Sequence, residues 1–183
     1  MKNFSIYFIL IFILGCNSKN ENIEKYKSKN IIPIEIKDST ESIYQLNNEE
    51  LIISFLTKKN KLLSVCKDKN DSYIVYRYGS KNNIELEFPK DKTDSWAKFM
   101  KAYYSRGGGH DNAGYEFDLL KFDNDSYQYI IYEEYDSVTD EISIGIRVSK
   151  EKEIDIKGRP ETQKGNLYRV RSLDKIKKSE DFF

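Results

Sequence analysis

Downstream of Leu51 the apolar residues mostly recur with a period of two, the spacing that lays them on one face of a β-strand. Ile84, Leu86 and Phe88 alternate with Glu85 and Glu87 before Pro89 stops the run, the clearest half-buried strand in the chain. Ile142, Ile144, Ile146 and Val148 alternate in the same way with Ser143, Gly145 and Arg147. Leu51–Thr57 and Lys61–Lys67 predict two strands joined by a turn at Lys58-Lys59-Asn60. Tyr73–Tyr78 predicts a third, dense in β-formers. Tyr115, Phe117 and Leu119 alternate cleanly, but Leu120 and Phe122 carry the apolar positions to the opposite parity, which predicts a bulge or burial on both faces. Asp123-Asn124-Asp125-Ser126 reads as a turn before a long aromatic strand, Tyr127–Tyr135. Trp96, Phe99, Met100 and Tyr103 fall at helical spacing while Ala102–Arg106 also suits a strand, so a short helical or irregular entry is expected within 93–101, followed by a strand. Lys157-Gly158-Arg159-Pro160 reads as a loop, Gly165–Arg171 as a last strand, and Leu173–Phe183 as a short charged helix or tail. Short turns without helical crossovers predict a mainly β fold, an antiparallel meander forming a sandwich or a partly closed barrel.

The N-terminal part follows other rules. Asn17–Asn30 has no hydrophobic period and consists almost entirely of Asn, Lys, Glu and Ser, so it reads as a disordered tether. As a flexible coil it would hold a domain on the order of 20 Å from its anchor. Ile31-Ile32-Pro33-Ile34-Glu35-Ile36 suits a first edge strand, where Pro33 is tolerated. Before the tether, Lys2 precedes an apolar run, Phe4–Leu14, broken only by Ser5 and Tyr7 and followed by Gly15 and Cys16. That run is shorter than the ~20 residues a membrane-spanning helix needs and has the layout of a secretory signal.

Ile13-Leu14-Gly15-Cys16 resembles the lipobox of bacterial lipoproteins. The resemblance implies cleavage before Cys16, diacylation of its sulfur, and often acylation of the new N-terminus, two or three chains being enough for stable anchoring. The expected organisation is a signal peptide (1–15), a lipidated cysteine with its tether (16–30), and a single β-rich domain (31–183). The implied location is the bacterial cell envelope, with the domain lipid-anchored and facing the periplasm or the cell surface.

Composition then removes several function classes. Thirty Lys and Arg balance 30 Asp and Glu, so no basic field invites nucleic acid. Only two cysteines occur. With Cys16 committed to lipid, Cys66 has no intramolecular partner, and its apolar run Leu62-Leu63-Ser64-Val65 suggests a buried, inert thiol. One histidine, His110, is too few for a zinc site, no phosphate-binding glycine motif is present, and no cofactor or metal is expected. Asp123-Asn124-Asp125 lacks the glycine and distal glutamate of a calcium loop.

Two features remain as candidate chemistry. The loop Arg106-Gly107-Gly108-Gly109-His110-Asp111-Asn112-Ala113-Gly114 combines a permissive backbone with a guanidinium and a titratable imidazole. Arg106, His110, Asp111 and Asn112 are its candidate contacts; the plain alternative is a bulged hairpin connection with no partner. Tyrosines lie on both parities of several strands: Tyr73 opposes Tyr76 and Tyr78, and Tyr132 opposes Tyr129 and Tyr135. Either both faces are covered or one displays tyrosines suited to protein or glycan. The expected function is a non-enzymatic binding or inhibitor-type module, anchored to the membrane by lipid, with an envelope protein or glycan as partner. Its architecture is similar to lipoprotein inhibitors of lysozyme, and an immunity-type protein fits equally. The alternatives are a carboxylate-based envelope hydrolase using acids between Glu116 and Glu141 with His110 or Arg106, and a structural accessory of an envelope complex.

Overall fold

The structure is a computed structural model that describes residues 44–109 and 112–179. The leader with Cys16, the tether, the edge strand expected at Ile31–Ile36, and His110 and Asp111 lie outside the described residues.

Nine longer strands and two short ones form two sheets. The first contains β1 (Glu49–Leu56), β2 (Leu62–Asp68), β3 (Ile74–Ser80) and β4 (Asn83–Phe88), with the two-residue β10 (Lys164–Gly165) on the outer edge of β1. The second runs in space as β11 (Lys177–Lys178), β5 (Phe99–Arg106), β6 (Tyr115–Asn124), β7 (Tyr127–Asp136), β8 (Glu141–Ser149) and β9 (Glu153–Lys157). All pairings are antiparallel except β11 with β5. The sheets face each other as a β sandwich, the first of the two architectures the alternation predicts. Four turns between consecutive strands are made by Asn60, Asp71, Asp125 and Asp140 with φ of 58°, 56°, 53° and 53°. Asn and Asp enter this left-handed region more readily than other side-chain-bearing residues.

The core is the apolar parity of both sheets. Ile53, Phe55, Leu63, Val65, Ile74 and Tyr76 meet Phe99, Leu120, Phe122, Ile131, Ile144 and Ile146, none more than 1% exposed. Phe122 is its centre: its ring stacks on Phe88 at 4.4 Å and on Tyr129 at 4.8 Å, and meets Tyr76 at 4.9 Å. Burying such a side chain contributes about 1.5–3 kcal/mol. The parity change in β6 is burial on both faces and not a bulge. Its register with β5 and β7 is unbroken, while Leu119 and Leu120 are 3% and 0% exposed.

The short helical entry expected within 93–101 is present as a four-residue 3₁₀ turn, Ser95–Lys98, and leads into β5. Two expectations change. Glu153–Lys157, where no strand was expected, pairs as β9 with β8. Gly165–Arg171 is not a strand: the chain leaves β10 at once and winds into a 3₁₀ segment, Leu167–Ser172. Gly165 has φ of +71°, and a Cβ there would strike the Ile52 carbonyl, so the strand cannot continue with an ordinary residue. Beyond it Leu167, Val170 and Ile176 are at most 2% exposed, with Leu173 half-buried. Their spacing of three is the 3₁₀ period, which lines up every third side chain.

That C-terminal segment packs against both sheets. Phe88 in β4 packs on Phe99 and Phe122 in β5 and β6, whereas Phe55 in β1 meets Ile144 across Gly158. Residues 160–178 pack against the parts of β5, β6 and β1 beside this overlap. They are held there by polar groups of the larger sheet. Lys101, 5% exposed, donates to the carbonyls of Val170, Arg171 and Leu173 at 3.1, 2.9 and 2.9 Å. Glu133 accepts from the Leu167 amide at 2.6 Å and from Gln163 at 2.8 Å.

Candidate functional site

Burial along β5 falls from Phe99, fully covered, to the exposed run Tyr104-Ser105-Arg106, and β8 begins with exposed Glu141 and Ile142. The hairpins β5–β6 and β7–β8 therefore extend past the core. Their ends are tied together: the Ser137 amide donates to the Gly114 carbonyl at 3.0 Å, and Gly114 packs closely on Gly108 and the Ser137 hydroxyl. Gly109 and Asn112 exchange backbone hydrogen bonds of 2.8 and 3.3 Å, so the hairpin narrows beyond β5 and β6. No described glycine of this loop has positive φ. At Gly108 and Gly114 the missing side chain serves close backbone approach; at Gly107 and Gly109 a Cβ would meet open space.

Of the candidate contacts, Arg106 and Asn112 are exposed at this end, with Arg106 Nε donating to the Ala113 carbonyl at 3.1 Å. His110 and Asp111 lie outside the described residues, so the four are not brought together as a set by the described geometry.

The same end gathers exposed apolar side chains. Among the described residues eight large hydrophobics are exposed, and five of them belong to it: Tyr104, Tyr135, Val138, Ile142 and Tyr168, at 45, 37, 74, 51 and 59%. Tyr135 and Ile142 are direct cross-strand partners. The tip that presents them is internally fixed: the Tyr135 hydroxyl donates to Asp140 at 3.1 Å, which raises its pKa, and the Val138 amide donates to Asp136 at 2.8 Å. On the opposite face Tyr104 stacks on Phe117 at 5.8 Å, with Tyr115 edge-on to the same ring. The hairpin from Glu133 to Ile142 carries Glu133, Glu134, Asp136, Asp140 and Glu141 and no base. Its exposed apolar residues thus sit in an acidic field.

Four of the carboxylates proposed for acid–base work, Glu116, Asp118, Glu133 and Glu134, have structural partners. Asp118 and Glu116 hold Arg171, Asp118 through both oxygens at 2.6 and 2.9 Å and Glu116 at 2.7 Å. Burial raises the Asp118 carboxyl above its ordinary value against the pull of Arg171. Glu134 pairs with Arg147 at 2.6 Å, and Glu133 is engaged with the C-terminal segment. Among the described residues no cluster of His, Cys, Asp and Glu could hold a metal ion, and no helix is long and apolar enough to cross a membrane. Burial pushes the Cys66 thiol up to about 12, and the side chain is fully enclosed.

Val138, Ile142 and Tyr168 had not been singled out from sequence. A β-branched residue between Ser137 and Thr139, in a turn otherwise made of polar residues, was the available signal for Val138. Ile142 is invisible by parity because it shares the core face of β8. No protein-family model matches the chain, and neither a curated protein nor a solved structure matches it.

Proposed function

We propose that the chain is a lipoprotein of the bacterial envelope, acylated at Cys16, whose β sandwich is a non-enzymatic binding module. Its contact surface is the end where the two hairpins extend past the core. The observation that carries this is the gathering of Tyr135, Val138 and Ile142, all well exposed, on a tip braced by its own hydrogen bonds, with Tyr104 exposed on the opposite face of the same end. Exposed apolar residues grouped on rigid elements mark interaction surfaces, and tyrosine supplies contact area at low entropic cost. The hydrolase reading is less well supported, because Glu116, Asp118, Glu133 and Glu134 already bind groups of the fold.

Three measurements test it. Radiolabelled palmitate is expected to enter the full chain and to be lost in Cys16→Ala; labelling of that variant would remove the anchor. Captured from envelope extract with the full chain as bait, a partner is expected to be lost when Tyr135→Ser and Ile142→Ser are combined. Undiminished capture would displace the site from this end. Turnover of an envelope substrate that vanishes in Glu133→Gln would replace binding by catalysis.

A further inference from the structure

On the strand face that carries Tyr135 and Ile142, the C-terminal segment builds a short ladder of alternating rings and cations. The Arg171 guanidinium lies 4.4 Å from the Tyr168 ring centre and 5.2 Å from that of Tyr103, and Lys178 Nζ sits 4.4 Å from the Tyr103 ring centre. Arg171 is itself fixed, because Asp118 grips it through both oxygens and Glu116 through one. Tyr168 is therefore an aromatic ring backed on one face by an immobile cation and still 59% exposed. Such a ring loses little freedom when something lies on its open face.

The surrounding groups narrow what that something is. Arg171 and Lys178 carry two positive charges and Asp118 and Glu116 two negative ones, so the cluster is neutral and does not select an ion. Hydrogen-bonding capacity is nevertheless left over. Glu116, whose side chain is 40% exposed, uses only Oε1, and the Tyr168 and Tyr103 hydroxyls make no hydrogen bond among the described residues. A flat apolar face bordered by acceptors and hydroxyls, without net charge, matches a pyranose ring. The sugar's C–H face is apolar and its rim is crowded with hydroxyl donors. We propose that Tyr168, with Glu116 and Tyr103 at its border, is a saccharide-binding platform. The proposal rests on the reading of the chain as a binding module and names the ligand class for this part of it.

The full chain, kept in a detergent without a sugar headgroup, is titrated calorimetrically with chitotetraose, cellotetraose and maltotetraose at millimolar concentration. At least one is expected to bind saturably. Tyr168→Ala should weaken it about tenfold and Glu116→Gln less, with the melting temperature of Tyr168→Ala unchanged. No saturable binding of any of the three, or binding indifferent to Tyr168→Ala, overturns the platform. If it fails while capture of a partner still depends on Tyr135 and Ile142, the platform alone is wrong. If neither is seen, the binding-module reading falls with it.

Discussion

Arg77 and Glu49 form the most deeply enclosed ion pair of the described domain, on the outer face of the first sheet, with side chains 4% and 0% exposed. The Glu49 carboxylate accepts two bonds from Arg77 at 2.7 and 2.8 Å, one from the Tyr73 hydroxyl at 2.9 Å and one from the Leu46 amide at 2.9 Å. Arg77 also donates to Glu87 at 2.7 Å and to the Tyr44 carbonyl at 3.1 Å. Arg77→Met keeps much of the stem's bulk and removes the charge. Glu87 still has Lys92, and the Tyr44 carbonyl still has the Cys66 thiol, so the loss falls on Glu49 alone. A buried carboxylate stripped of its partner costs about 3–5 kcal/mol, and the two bonds that Glu49 keeps place this case near 3. Out of a typical total of about 5–15 kcal/mol that is a large share, and at about 4 °C per kcal/mol it lowers the melting temperature by roughly 12 °C. The double variant Glu49→Leu with Arg77→Met removes the stranded charge and is expected to be more stable than Arg77→Met alone. Urea unfolding followed by near-ultraviolet circular dichroism of the wild type, both single variants and the double gives the coupling directly. An Arg77→Met cost below about 1 kcal/mol, or a double variant equal to the sum of the singles, would refute the reasoning.

Two further perturbations follow from tyrosines. The Tyr132 ring lies across Gly145, its cross-strand partner, with its hydroxyl on Asp155 at 2.9 Å, and a Cβ at Gly145 would stand 2.6 Å from the ring's Cζ and 2.8 Å from the Ile156 carbonyl. Gly145→Ala should therefore cost about 1–3 kcal/mol in urea unfolding, and combining it with Tyr132→Leu should recover part of that; an unchanged midpoint would exclude the close approach. Burial pushes the Tyr132 and Tyr73 phenols up to about 12 and Tyr76 well above its ordinary value. Because these phenols keep their protons in the fold after the unfolded chain has lost them, their stabilisation is complete below pH ~10 and declines as pH rises toward ~12. Lys101, lowered by burial, works in the opposite sense over the window below its ordinary value, but it stands alone against the three phenols and against Tyr44, Tyr78, Tyr115 and Tyr129, which burial also raises. The urea midpoint should thus fall between pH 9 and 11; a rise would reverse the argument.

How much of this was legible depends on what alternation can encode. β4 and β8 were readable because one face is wet and the other dry: Leu86 and Phe88 pack on the core while Glu85 and Glu87 pair with Lys61 and Arg77. The double parity of β6 was readable as an anomaly, and its cause is coverage of both faces. Gly165–Arg171 is not the strand expected there, because its buried residues Leu167 and Val170 lie three apart and the burial continues at that period to Leu173 and Ile176. The i→i+3 hydrogen bonds from Leu173 to Val170 and from Ile176 to Leu173 show which period governs.

The candidate site was half legible for a related reason. The loop rich in glycine does join two strands, β5 and β6, but its glycines predict reach and not what surrounds it. Parity assigns Ile142 to the core face along with Ile144 and Ile146, yet Ile144 is 1% exposed and Ile142 51%. The difference is where the covering layer stops, a long-range property of two sheets meeting and of the C-terminal segment filling one side of the overlap. No local pattern in β8 carries it. The same offset leaves Tyr135 and Tyr168 uncovered while Tyr129, on the same parity of β7, is packed against Phe122. The alternation made the strands, and the mismatch in extent between the two layers made the surface.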